Sequence, residues 1–143
     1  MTKDVMIRIK GFQYAEGQES YTTELMLTGQ FNERDGLSFV KYDEIVEEGG
    51  ETIRNLLKFS DTKLTVIRHG AVESSMSLEK GKKLRSLYRT PFGDLEVATL
   101  VSRFLILRTE EKIRLEVDNA LQMNGAHPPE NRIAVTIRSR KNA

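Results

Sequence analysis

The stretch on which the fold turns is Leu95-Glu96-Val97-Ala98-Thr99-Leu100-Val101-Ser102-Arg103-Phe104-Leu105-Ile106-Leu107, followed after Glu110-Glu111-Lys112 by Ile113-Arg114-Leu115-Glu116-Val117-Asp118-Asn119-Ala120-Leu121. Its leucine, alanine and glutamate content suits one or two helices. Its order does not. Leu95, Val97, Thr99 and Val101 recur at every second position, and Ile113, Leu115 and Val117 do the same against Arg114, Glu116 and Asp118. Period two with β-branched residues marks a strand with one buried face, whereas a helix needs apolar residues at i, i+3 and i+4. The strand reading is therefore taken for Leu95–Leu121. From Val101 to Leu107 both parities are apolar, so this strand is expected to bend or to be covered on both faces.

The same signal extends in both directions. Val5, Ile7 and Ile9 alternate with Asp4, Arg8 and Lys10, and Tyr21, Thr23, Leu25 and Leu27 with Thr22, Glu24 and Thr28. Asn32-Glu33-Arg34-Asp35-Gly36 reads as a loop, with Asp35-Gly36 a favoured hairpin turn. Leu37–Ile45 and Thr52–Phe59 read as strands, although Ile53, Leu56 and Leu57 also fit a short helix. Leu64–Arg68, then Val72, Ser74, Met76 and Leu78, and Leu84–Thr90 follow. Glu79–Lys83, a charged connection around Gly81, suits a disordered loop or one helical turn. Pro128-Pro129 sits in a loop over Asn124–Arg132, Ile133, Val135 and Ile137 close the pattern, and Ser139–Ala143 reads as a polar tail. Eight to ten short strands joined by short turns form an antiparallel meander. A meander of this length closes into a barrel or splits into a sandwich, because open edges invite aggregation. The reading is one all-β domain over 1–143.

Composition narrows the function classes. Lys+Arg 22 against Asp+Glu 21 gives a net charge of +1, which argues against a dedicated polyanion binder and leaves nucleic acid an unfavoured partner. A local basic patch remains compatible with that balance. The chain has no cysteine, which excludes a thiol nucleophile and cysteine–metal sites and fits a reducing cytoplasm. The start Met1-Thr2-Lys3-Asp4 lacks an apolar signal region, and no run is clean enough to span a bilayer as a helix, so no membrane partner is expected.

Two segments carry a resemblance. Val66-Ile67-Arg68-His69-Gly70-Ala71-Val72 is similar to the Arg-x-Gly turn between two middle strands of the YwiB-like bacterial proteins, and Tyr88-Arg89-Thr90-Pro91-Phe92-Gly93-Asp94-Leu95-Glu96-Val97 resembles that family's Tyr-x-Thr-x-Phe-Gly-x-Leu-x-Leu motif, with Val97 where leucine is more usual. The resemblance extends over nearly the whole chain. It implies a calycin-like (lipocalin-like) β-barrel in a bacterial cytoplasm, and no activity, cofactor or catalytic residue. The fold analogy suggests a ligand cavity, but fold alone does not set function.

Four residues are candidates for a ligand site inside such a barrel. Arg68 follows Leu64 and Val66 in register and so points inward, where its guanidinium needs a partner; Glu96, Asp118 or a bound anion would serve, or the side chain reaches water from the strand end. Tyr88 shares a face with Leu84 and Ser86, and Asn119 with Val117 and Leu121. Polar tips among apolar neighbours orient ligands in cavities, and they also occur in ordinary barrel interiors that satisfy them by hydrogen bonds. Phe92 is either a plug at a barrel end, with Gly93 at positive φ, or part of a binding loop near the rim. No catalytic or metal site is expected. His69 and His127 lack ligand spacing, and Ser74, His69 and Asp94 make a hydrolytic triad only on paper, without a Gly-x-Ser-x-Gly elbow. Glu47-Glu48 and Glu110-Glu111 read as solvated turns, and Arg138-Ser139-Arg140-Lys141 as a frayed basic end. The leading expectation is a non-enzymatic barrel that binds a small apolar or amphipathic molecule. The rival is an interaction module that binds a protein through its outer surface or edge.

Overall fold

The computed structural model describes residues 1–14, 21–45, 50–70, 73–90, 93–123 and 130–140, with the backbone alone at 13–14, 21–22, 87–90, 95 and 123. The described residues form ten strands and no helix: β1 (Asp4–Tyr14), β2 (Tyr21–Arg34), β3 (Leu37–Ile45), β4 (Thr52–Phe59), β5 (Lys63–Gly70), β6 (Ser74–Glu79), β7 (Lys83–Thr90), β8 (Gly93–Arg108), β9 (Lys112–Met123) and β10 (Glu130–Ser139). Accordingly, none of them builds a helix long and apolar enough to cross a membrane. All pairings are antiparallel, in the order β6-β5-β4-β3-β2-β1-β10-β9-β8-β7.

That order forces the sheet to roll. β6 and β7 are the outermost strands, and in a flat sheet they would lie about 43 Å apart at the usual strand spacing. Only Lys80, Gly81 and Lys82 join them, a reach of about 14 Å at most. The two edges therefore meet, and the sheet becomes a nearly closed barrel. The turn is tight, with Gly81 at φ 74° and the Lys82 N–H donating to the Glu79 carbonyl at 3.2 Å. It is a tight three-residue turn, where a disordered loop or one helical turn was expected. Across the seam the buried Thr99 hydroxyl of β8 lies 2.8 Å from the Ser77 carbonyl of β6 and 3.3 Å from the Leu84 carbonyl of β7.

Inside, the period-two pattern becomes a core. Val5, Ile7, Val135, Ile137, Ile113, Leu115 and Val117 of one wall face Val40, Leu57, Phe59, Leu64 and Leu78 of the other, all buried. Leu95–Leu121 forms strands β8 and β9, separated by the turn at Thr109, Glu110 and Glu111. Its two-sided apolar run has a specific cause. A bulge between Val101 and Arg103 shifts the register, so Val97, Thr99 and Val101 face inward before it, and Phe104 and Ile106 after it. Ser102, the extra residue, donates its hydroxyl to the Asp118 carbonyl at 3.3 Å. Leu100 and Leu107, on the opposite parity, stay exposed.

Several boundaries depart from the sequence reading: β2 continues through Arg34 into the expected loop, and β5 continues through His69 and Gly70, where a turn was expected and where both residues pair with β4. β10 starts at Glu130 and runs to Ser139, because it lies between β1 and β9, which supply partners along that length. Arg138 and Ser139 are thus strand, and Arg140 donates its N–H to the Asp4 carbonyl at 2.9 Å. The Asp35-Gly36 turn is as expected, with φ 51° and 78°, the pair of positive values a two-residue hairpin of this type requires.

Candidate functional site

The two ends of the barrel differ. At the end holding the β2–β3, β4–β5, β6–β7 and β8–β9 turns, the interior is closed. Arg108 lies over the Phe59 ring at 5.6 Å and donates to the Ser38 hydroxyl at 3.2 Å and to Asp61 at 3.4 Å, above the fully buried Leu64, Leu78 and Ile137. At the other end, polar side chains take over the inward positions.

Arg68 is among them. It pairs in register with Asn55, which pairs with Tyr42, so three neighbouring strands each place one polar residue in the same inward row. Glu44 lies one inward position further along β3. The Arg68 Nε donates to Asn55 Oδ1 at 3.2 Å, and Nη2 lies 3.5 Å from Glu44 Oε1. Asn55 is 3% exposed and donates Nδ2 to its own strand's Ile53 carbonyl at 3.3 Å, so its oxygen is turned to the arginine. Burial pushes the Tyr42 hydroxyl up to about 12, the Glu44 charge pushes the same way, and Arg68 opposes both. The result is a neutral phenol beside a loosely paired guanidinium and carboxylate. The side chains of Arg68 and Glu44 remain 34% and 24% exposed.

The wall beside this cluster is split. Among the described residues, β2 and β3 are laddered only over Gln30–Arg34 against Leu37–Lys41. Beyond that, β2 pairs with β1 alone and β3 with β4 alone. The parting point is Gly29, where a Cβ would fall 2.5 Å from both Ile7 Cδ1 and the Lys41 carbonyl; only glycine lets the strands approach so closely before they diverge. Leu25 follows the inward parity of Ile9, its register partner, yet is 43% exposed, because no β3 backbone covers it.

Of the sequence candidates, Arg68 points inward as expected, but its partners are Glu44 and Asn55. Glu96 instead pairs with Arg85 at 3.2 Å and Asp118 with Arg132 at 2.6 Å, since both carboxylates lie on the outward parity. Asn119 is 6% exposed on β9 and donates to the Val117 carbonyl at 3.4 Å, on a different wall from the cluster. Tyr88 is placed by backbone only, opposite Leu95, and Phe92 lies outside the described residues, as do His127, Glu47 and Glu48. Gly93 has the expected positive φ, 122°. The paper triad does not assemble: His69 is outward-facing, bound to Glu73 at 2.7 Å, while Ser74 opposes Arg68 on the inward parity. Sequence reasoning missed Tyr42, Glu44 and Asn55. The signal was present in their parity, since Tyr42 and Glu44 continue Val40, and Asn55 interrupts Ile53, Leu57 and Phe59.

Comparison with known proteins gives one family and one fold. The family model described as "Domain of unknown function (DUF1934)" matches residues 7–135. Among solved structures, the chain is similar to the YwiB protein of Bacillus subtilis, with a TM-score of 0.83 and 19% identity over 97% of this chain and 93% of that one, a likeness that speaks for the fold. No curated protein matches.

Proposed function

The chain belongs to the DUF1934 family of domains of unknown function, and for it we propose a non-enzymatic binding role in a bacterial cytoplasm, in which the barrel's polar end holds a small amphipathic anion. The observation that carries this reading is the Arg68–Asn55–Glu44 cluster, inward-facing, partly exposed, and set above an apolar core beside a split wall. A guanidinium whose carboxylate contact is as long as 3.5 Å gains from exchanging it for a ligand's anionic group in shorter, charge-assisted bonds. The apolar body of the ligand would cover Leu25, Leu27 and Ile9, whose inward surfaces the split leaves open. The compartment rests on two supports. Outward positions such as Arg8, Lys41, Arg54 and Arg114 are charged and inward ones apolar, the reverse of a membrane barrel, and cysteine is absent.

The test uses anilinonaphthalene sulfonate, an apolar ring system with one sulfonate, as probe. Saturable fluorescence enhancement is expected, weakened about tenfold by Arg68→Met, the size of one lost charge-assisted contact. Native mass spectrometry of protein from its host should show a retained small molecule that Arg68→Met loses. Binding of the probe that is absent, or equal in the variant, removes the proposal.

A further inference from the structure

The outer face of β2-β1-β10-β9 carries a second feature, remote from the interior cluster. A groove of about 370 Å³ runs along β10. Its floor is Ala134 and Thr136, the small residues of the strand's outward parity. Arg8 and Lys10 of β1 form one bank and Lys112 and Arg114 of β9 the other, with Arg138 at one end. The register explains the arrangement: Arg8 opposes Thr136, which opposes Arg114, and Arg138 opposes Lys112. The banks are two strand spacings apart, about 10 Å, and small residues between long ones make a trough. Glu24 pairs with Arg8 at 2.7 Å and Glu116 with Arg114 at 2.8 Å, which holds both guanidinia in place, yet none of the lining residues is acidic. Met26, 61% exposed, lies beside Arg8 in the same row.

We infer that this groove docks an extended acidic segment of a partner protein, one that sets an apolar side chain against Met26. Cations on both banks match carboxylates on either side of an extended chain. Methionine is the adaptable apolar contact such a segment would use. A polynucleotide fits less well, because no lining residue is aromatic to stack a base and the net charge of +1 gives little long-range attraction for a polyanion.

The test is fluorescence anisotropy of the full chain with a labelled peptide of consecutive glutamates interrupted by one leucine, whose extended form carries carboxylates on both sides, and with labelled polyuridylate. Saturable peptide binding is expected, weakening as salt rises. Lys10→Glu with Arg138→Glu should weaken it at least tenfold while the urea midpoint stays within the range of inert surface changes, since neither residue has an ion pair among the described residues. Met26→Ser should weaken it about threefold, and Arg68→Met should leave it unchanged, which separates this surface from the interior site. The inference is overturned if the peptide does not saturate, if the charge reversals leave its affinity intact, or if polyuridylate binds more tightly and ignores Met26→Ser.

Discussion

Tyr42 shows how one residue reports its surroundings. Its phenol is 7% exposed and raised from 10.0 to about 12, chiefly by burial and then by the Glu44 charge. A group raised in the folded state contributes stability that is full below its unfolded value and is lost as pH rises through the folded one. The window here is therefore pH 10 to about 12, and two units correspond to about 2–3 kcal/mol. Ultraviolet titration should show a tyrosine ionising at about pH 12, and Tyr42→Phe should remove that step and flatten the alkaline fall in stability. A Tyr42→Phe protein with an unchanged alkaline limb would show that the phenol is hydrated. The outward carboxylates behave in the opposite sense. The Arg132 hydrogen bond holds Asp118 below the usual range against its burial. For Glu116, burial works upward but the hydrogen bonds from Arg103 and Arg114 outweigh it. Their contribution persists above the ordinary carboxylate range and fades as pH falls through the lowered values.

At the scale of elements, the weakest junction is the seam between β6 and β7, which are neighbours without a ladder between them. Thr99 is the side chain that reaches across. Thr99→Val keeps the shape and removes the donor. The loss of one buried hydrogen bond costs about 1–3 kcal/mol when the acceptor is left without a partner. Urea melts should show that loss, and amide exchange should quicken in β6 and β7 before β1 and β10. Equal protection in all four strands would mean that the seam is held by packing alone. The bulge at Ser102 belongs to the same scale. Two apolar parities in Val101–Leu107 signalled an irregularity, but a bend and a parity switch leave the same trace in composition, and only the pairing with Asp118 and Asn119 distinguishes them.

The whole molecule is a ring of strands in which chain order and spatial order agree everywhere, including between β1 and β10. Thr2 and Ser139 meet through a 3.0 Å hydrogen bond, so the two ends of the described chain are adjacent. Joining them and opening the chain elsewhere tests which connections close the ring. A permutant opened at Gly36 cuts a hairpin whose strands are laddered, and it should stay close to the parent in urea midpoint. One opened at Gly81 cuts the link that brings the sheet's edges together, and it should be distinctly less stable while keeping a strand-type circular dichroism spectrum. Equal midpoints would show that edge packing closes the barrel without the link.

Alternation by itself determined that the chain is all-β, how many strands to expect, and which face of each is apolar, because side-chain direction in a strand is a local property with a period of two. It also gave Arg68 the inward parity of Leu64 and Val66, but left open whether its side chain reached water from the strand end. Partner choice was decided by tertiary structure. Arg68 reaches Glu44, 24 residues away in the chain, because β3, β4 and β5 are stacked in a register that parity alone does not specify. The same holds for the groove on the outer face. Arg8, Lys10, Lys112, Arg114 and Arg138 are scattered singly in the sequence and cancel against acids in the total charge, and they become one basic surface only when β1 and β9 flank β10. Sequence patterns record which way a side chain points; which other side chains it meets depends on non-local strand pairing, and that is settled by the closing of the sheet.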